Sequence, residues 1–317
     1  MKKLFVPILL GVLLTTSLGT AKTDCRISVA SLAGNVGLAM VKLMDEPFVS
    51  GCDINFEVLK SPDLAVGKLI AGEADFAGLP LSTAAVMYNK GAGIQTAAII
   101  GWGVMYIVSD DASIKKWADL KGKEVYVSAK GAISDILLRY LIIKNKLIPG
   151  VDVSIQYIAG SVELAQMVAS GKVTLAAMPE PWVSGVLEKN PKVKIVLDYQ
   201  KEWQRIEKQG STYPQTCIVV RRQFARDHPE ALRGFLNALR HSIGWVRRHP
   251  KEAGILAEKY VQIASPAVEQ GLERMNLRYD NAVDVRSAID RFLRRLVIFE
   301  PDSVGGKMPD EGFYYQP

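Results

Sequence analysis

From residue 26 onward, apolar residues fall into short β-branched runs separated by stretches in which they recur at helical spacing. Runs at 26–30, 54–59, 74–77, 95–100, 104–109, 124–127, 153–157, 173–177, 193–197 and 216–221 predict strands. The intervening helical patterns, joined by Gly- or Pro-bearing connections, predict parallel sheet with crossover helices. Beyond Arg222 the pattern is helical only. Asp227-His228-Pro229-Glu230, His249-Pro250-Lys251-Glu252 and Ser265-Pro266 each put proline in or near a first turn, where its missing N–H costs nothing. A last amphipathic helix is predicted over 283–298. The Gly-, Pro- and Asp-rich end, 301–317, is expected to wrap the surface or fray.

One stretch repeats. Leu69-Ile70-Ala71-Gly72-Glu73-Ala74-Asp75-Phe76-Ala77-Gly78-Leu79-Pro80 and Val168-Ala169-Ser170-Gly171-Lys172-Val173-Thr174-Leu175-Ala176-Ala177-Met178-Pro179 share one order: helix end, glycine cap, buried strand, bulky residue, proline. Upstream of each, Val29-Ala30-Ser31-Leu32-Ala33-Gly34 is echoed by Val127-Ser128-Ala129-Lys130-Gly131-Ala132. The fold class that follows is α/β, with two similar Rossmann-like lobes. Ligands of open parallel sheets bind outside the carboxyl ends of strands, beside helix N-termini with free N–H groups. Two such turns per lobe make a cleft lined by four. The division expected is lobe one over 22–106, lobe two over 107–214, the remainder of lobe one with its C-terminal helices over 215–300, and a surface tail over 301–317. The chain thus crosses between lobes twice, and two crossing strands act as a hinge.

The N-terminus changes the setting. Lys2 and Lys3 precede an apolar run, Leu4 to Leu14, and a small uncharged stretch ending Gly19-Thr20-Ala21. This is the layout of a secretory signal peptide, with cleavage expected after Ala21. Cys25 follows Lys22-Thr23-Asp24, which does not suit a lipid-acceptor cysteine, so a soluble periplasmic protein is expected. The net charge of +6 at pH 7 includes the leader's two lysines, and the basic residues that remain are scattered. Clusters such as Arg247-Arg248 and Arg294-Arg295 sit on helical patterns, where they read as solvated faces and not as a nucleic-acid footprint.

Three cysteines in an exported chain allow one disulfide. Cys25 and Cys52 each stand just ahead of a predicted strand. If those strands are parallel neighbours, their starts lie near the ~5 Å strand spacing that a disulfide spans. Cys217, in the apolar stretch Cys217-Ile218-Val219-Val220, is expected to be a buried, inert thiol.

Several further pieces recur in a fixed order: Gly72-Glu73-Ala74-Asp75, Trp117-Ala118-Asp119-Leu120-Lys121-Gly122-Lys123, Pro179-Glu180-Pro181-Trp182, and Asp227-His228-Pro229-Glu230 followed by Phe235-Leu236-Asn237-Ala238-Leu239, Trp245 and His249-Pro250. In these the chain resembles the bacterial solute-binding proteins of the nitrate, sulfonate, taurine and thiamine-precursor transporter group, over nearly the whole mature length. The resemblance implies the type II periplasmic binding protein fold, a monomer that closes on a small ligand and docks on an ABC permease with its ATPase. No cofactor and no metal are expected from the residues themselves. Matched turn by turn, the resemblance points to Asn35, Ser82 and Trp102 in lobe one, to Ser128, Gly131, Ala132, Ser134, Glu180 and Trp182 in lobe two, and to Tyr213 at the return crossing as ligand-binding residues.

Each has a structural reading too. Asn35 and Ser82 are favoured N-cap types, and Ser134-Asp135 reads as an N-cap with a first-turn acid. Glu180, between two prolines, can accept hydrogen bonds from an amine, amide or ring N–H, or form a surface ion pair with a lysine. Trp102, Trp182 and Tyr213 can stack on a flat ring, or pack core and hinge. Three aromatics against one basic turn residue, Lys130, favour a heterocyclic or aromatic ligand, with a sulfonate or related anion second. The competing classes are a pyrimidine-precursor synthase on the same fold and a ligand-sensing or adhesin-like protein. Against the enzyme, His228, His241 and His249 all fall in the C-terminal helical part, and no Cys/His spacing suits a metal.

Overall fold

The computed structural model describes residues 25–208 and 212–316. The leader, its cleavage point after Ala21 and Ser211 lie outside the described residues.

The chain opens with the alternation that its apolar runs predict. Strand β1 (Cys25–Leu32) leads to helix α1 (Asn35–Asp45), then β2 (Cys52–Leu59), α2 (Pro62–Ala71), β3 (Phe76–Pro80), α3 (Leu81–Asn89) and β4 (Ile94–Trp102). It then crosses into β5 (Met105–Ser109), β6 (Glu124–Ser128), α4 (Ile133–Lys144), β7 (Ser154–Ile158), α5 (Ser161–Ala169), β8 (Leu175–Pro179), α6 (Trp182–Lys189), β9 (Lys194–Asp198) and α7 (Tyr199–Glu207). It returns through β10 (Pro214–Arg221) to α8 (Arg222–Asp227), α9 (Pro229–Arg248), α10 (Pro250–Val261), α11 (Ser265–Gly271), β11 (Leu277–Asn281) and α12 (Arg286–Phe299).

Two sheets result, in the orders β11-β4-β10-β3-β1-β2 and β7-β6-β8-β5-β9. Read from β2 and from β7 they have the same plan: β1 pairs in parallel with β2 and β3, as β6 does with β7 and β8. The fourth strand is reversed in both, since β10 runs antiparallel to β3 and β4, and β5 to β8 and β9. The repeated segments are β3 and β8, each following a helix stopped by a left-handed glycine, Gly72 (φ 75°) and Gly171 (φ 74°). Each lobe therefore takes as its reversed strand the one that has just crossed from the other lobe. Strand β5 belongs wholly to the five-stranded sheet and β10 to the six-stranded one, so sheet membership changes at Met105 and Pro214. Strand β11 was not among the expected strands. Its Leu-Arg-Tyr-Asp-Asn sequence suits a sheet edge, where charge blunts further pairing.

The crossings run side by side. Trp102 pairs with Pro214, and Gly103 N–H donates to Tyr213 O at 2.9 Å. A Cβ on Gly103 would stand 2.8 Å from atoms of Gln200, Thr212 and Tyr213, so only glycine lets the chains approach this closely. Beside them an aromatic cluster joins lobes: Tyr213 stacks on Phe292 of α12 at 5.5 Å, and Trp203 of α7 meets both edge-on at 5.3 and 5.6 Å. One face of lobe two thereby merges with the core of lobe one, while its α5–α6 face buries a separate core around Val108, Leu164, Ala176, Met178 and Val183. The tail is pinned to lobe one: Phe313 and Tyr314 are buried, and Tyr315 N–H donates to Thr96 O at 3.0 Å.

Parallel pairing sets Cys25 opposite Cys52, and the disulfide forms with Cα atoms 4.5 Å apart. Cys217 is fully buried, and burial pushes its thiol far above the ordinary range. Unfolding in denaturant should show a loss of about 3 kcal/mol when the disulfide, which spans a separation of 27 residues, is replaced by a pair of serines. Thiol titration should find no reactive group until the chain unfolds, and one thereafter.

Candidate functional site

The carboxyl ends of the parallel strands face each other across the crossings. In lobe one β1 runs through Ala33 and Gly34 into α1, and β3 runs directly into α3. In lobe two β6 leads through 129–132 into α4, and β8 through Glu180 and Pro181 into α6. The first of these turns meets the last: a Cβ on Gly34 would lie 3.8 Å from Pro181 Cδ. None of the four N-cap residues makes a side-chain cap, although in α6 the Glu180 carboxylate takes the Ser184 N–H.

The capping readings of the turn residues do not hold. Gly34, Pro80 and Ala132 occupy the N-cap positions of α1, α3 and α4, one residue before each helix begins. Asn35 is instead the first helical residue, nearly buried, and its Nδ2 donates to Met275 O at 2.8 Å, 240 residues away. A carbonyl can only accept, so this bond fixes the amide's orientation and leaves Oδ1, which has no partner, as a buried acceptor. Ser31 Oγ, at the end of β1, is likewise buried without a partner. Ser82 is the second residue of α3 and buried.

The first turn of lobe two is braced from below. Ser134 Oγ donates to Ser128 O at 3.0 Å, and Ser128 Oγ shares a 3.0 Å hydrogen bond with Ser161 Oγ. Buried Asp135 accepts from Gly131 N–H at 2.9 Å, from Tyr157 OH at 3.0 Å and from Arg139 Nε at 3.1 Å. Gly131, in the left-handed region at φ 79°, faces open space, and Ala132 is half-buried beside it.

Glu180 is only 2 % exposed, and its charged partner is Arg274, so the reading as a surface pair with a lysine does not hold. Arg274 Nε donates to Oε1 at 2.7 Å, Ser184 Oγ to Oε1 at 2.9 Å and Ser184 N–H to Oε2 at 3.0 Å. Burial pushes the carboxyl above the ordinary glutamate range, against the opposing pull of Arg274 and Ser184. Nothing in the apolar pattern around Arg274 marks it as a cleft residue, because its role depends on a turn that begins ninety-four positions earlier in the chain.

The three aromatics do not converge. Trp102 is buried, its Nε1 donates to Asp280 Oδ2 at 2.8 Å, and the Arg278 guanidinium lies 4.3 Å from its ring, so β11 holds it. Tyr213 is buried in the hinge cluster, with its hydroxyl donating to Gln200 Oε1 at 2.9 Å. Trp182 alone is partly exposed. It lines, with Pro181, Gly185 and Lys189, a cavity of about 230 Å³ between α5–α6 and the α10–α11 turn. The histidines stay away from the turns: His228 and His249 precede α9 and α10, and His241 lies on α9. Among the described residues no cluster of His, Cys, Asp and Glu could hold a metal ion, and no helix is long and apolar enough to cross a membrane.

Known structures share this architecture. An ABC transporter structure from Parabacteroides distasonis is 30 % identical, covers 92 % of this chain and 99 % of its own, and superposes with a TM-score of 0.80. The periplasmic aliphatic sulphonate binding protein SsuA of Escherichia coli is 17 % identical over 92 % of each chain, with a TM-score of 0.70. The periplasmic nitrate-binding protein NrtA of Synechocystis PCC 6803 is 13 % identical over 88 % of this chain and 84 % of its own, with a TM-score of 0.67. At such identities the last two speak for the fold, which is that of the periplasmic binding proteins. The profile of the NMT1/THI5 like family matches residues 50–253, and with two lobes of one plan meeting at their strand-end turns, the chain belongs to that family.

Proposed function

We propose that this chain is the extracytoplasmic solute-binding component of an ABC importer, taking a small organic ligand between its lobes and presenting the closed form to a permease and its ATPase. The observation that carries the reading is the meeting of the Gly34 turn with Pro181, with the unpartnered Asn35 Oδ1 buried beside it. A ligand touching both lobes favours the closed state because only that state makes both sets of contacts. Family membership and neighbours named as periplasmic binding proteins support the periplasmic setting.

The favoured ligand is a heterocycle or other ring bearing an N–H or O–H donor. Asn35 Oδ1 offers such a donor a fixed acceptor, and a bare oxyanion cannot use it. A sulfonate or related anion is the second reading, favoured by the N-termini of α1, α3 and α4, which carry no side-chain cap.

Mass spectrometry of small molecules released by denaturing the purified protein should identify the ligand, and adding it back should compact the protein in X-ray scattering. No change in dimensions would remove the closure reading. In calorimetry Asn35→Ala should bind a donor-bearing ligand about tenfold more weakly, the loss of one buried hydrogen bond. The same variant should leave an anion's affinity unchanged or raised.

A further inference from the structure

Residues 272–276 link α11 to β11 by one turn of 3-10 helix, Leu272–Met275, and by Asn276, which adopts a left-handed conformation at φ 45°. Both ends are rooted in lobe one, because α11 packs on α10, α10 packs on α1, and β11 pairs with β4. From that base three consecutive residues touch every part of the hinge region. Arg274 reaches into lobe two, to Glu180 Oε1 and to Ser184 Oγ, each at 2.7 Å. Its carbonyl accepts from Tyr106 OH of β5 at 3.2 Å. Met275 O holds Asn35 of lobe one, while Asn276 Nδ2 donates to Gly103 O at the crossing at 2.6 Å and its carbonyl accepts from Trp102 N–H at 3.3 Å.

A second observation points the same way. Helix α11 presses on α6 of lobe two, and a Cβ on Gly271 would stand 2.1 Å from Ser184 Oγ and 2.9 Å from Ser184 Cβ. Glycine at 271 is what lets the two helices come close enough for Arg274 to span the gap.

We infer that Leu272–Asn276 is a clasp, a tie between the lobes additional to the two crossings and to the contacts that α12 and its end make with lobe two through the aromatic cluster and the Arg139–Glu300 and Arg295–Glu207 ion pairs, and that Arg274 is the positioning residue through which it limits how far the cleft opens. The physical basis is the buried Glu180 carboxylate. Moving α6 away from α11 separates an ion pair whose acid has no other cation within hydrogen-bonding distance among the described residues, and breaks the Ser184 and Tyr106 bonds with it. The clasp belongs to the protein and not to the ligand, so closure starts from a state already biased toward it. This deepens the closure reading, yet its test needs no ligand, so either can fail without the other.

The experiment measures the distance between spin labels on Lys60→Cys and Ala159→Cys, exposed positions following β2 and β7 at the carboxyl ends of the two edge strands. The protein is first freed of small molecules by unfolding and oxidative refolding. Buried Cys217 should stay unlabelled in every variant, so two labels per chain also report a correct fold. In the parent background a narrow distance distribution is expected. Arg274→Ala should lengthen and broaden it by removing the tie, Gly271→Ala should do so by wedging α11 from α6, and Arg274→Lys should recover part of the parent distribution by restoring the charge at Glu180. Distributions for Arg274→Ala and Gly271→Ala that superpose on the parent's would overturn the clasp. An Arg274→Lys distribution identical to that of a loosened Arg274→Ala would overturn the role of the ion pair.

Discussion

Everything distinctive about this molecule follows from two chain segments lying in contact where they pass between sheets. The contact at Gly103 and Tyr213 tolerates no side chain on the first crossing. Because the crossings are adjacent, each lobe must accept an incoming strand running against its parallel strands, and both accept it in the same place, between the third parallel strand and the edge. The carboxyl ends of the parallel strands then point toward the junction from both sides. Two strand-to-helix turns from each lobe thereby lie on the junction side, and the first of them meets the last at Gly34 and Pro181.

The second constraint is electrostatic. A carboxylate as deeply buried as Glu180 is tolerable only with a cation and hydrogen-bond donors in place, and the chain supplies these from α6 and from Arg274 in the C-terminal segment. Buried pairs of this kind add little net stability over apolar packing, but they penalise every arrangement in which the partners are apart. Their effect is selective: a specific juxtaposition of lobes is favoured over other compact ones. The aromatic cluster of Trp203, Tyr213 and Phe292 acts on the same junction without direction, through apolar area alone.

Much of the architecture was legible because it is written in local periodicity. Ten of the strands, the late helices and the Cys25–Cys52 bond follow from patterns within a few dozen residues of each other, and the internal repeat from two short local patterns of the same order. Strand β11 escaped because Arg278, Asp280 and Asn281 give it no apolar alternation, and its pairing is an edge interaction with β4. At the cleft, local reasoning failed for a different reason. Asn35 and Ser134 are good caps by type, yet each is claimed by a backbone carbonyl instead, Met275 O and Ser128 O. Glu180 stands between two prolines and is buried, but its partner comes from a segment that carries no signal of its own. Trp102 ends its strand and Tyr213 lies at the return crossing, and the sheet edge and the hinge use up their rings.

The first strand and the final residues share a consequence. Cys25 begins β1 at the end of its sheet remote from the cleft, and Tyr314 and Tyr315 are fastened to Thr96 of β4, so both ends of the described chain are anchored in the same lobe. A tether, surface attachment or fusion partner joined at either end would load lobe one alone. Lobe two would remain an unburdened jaw, and a handle grafted there would report its motion directly.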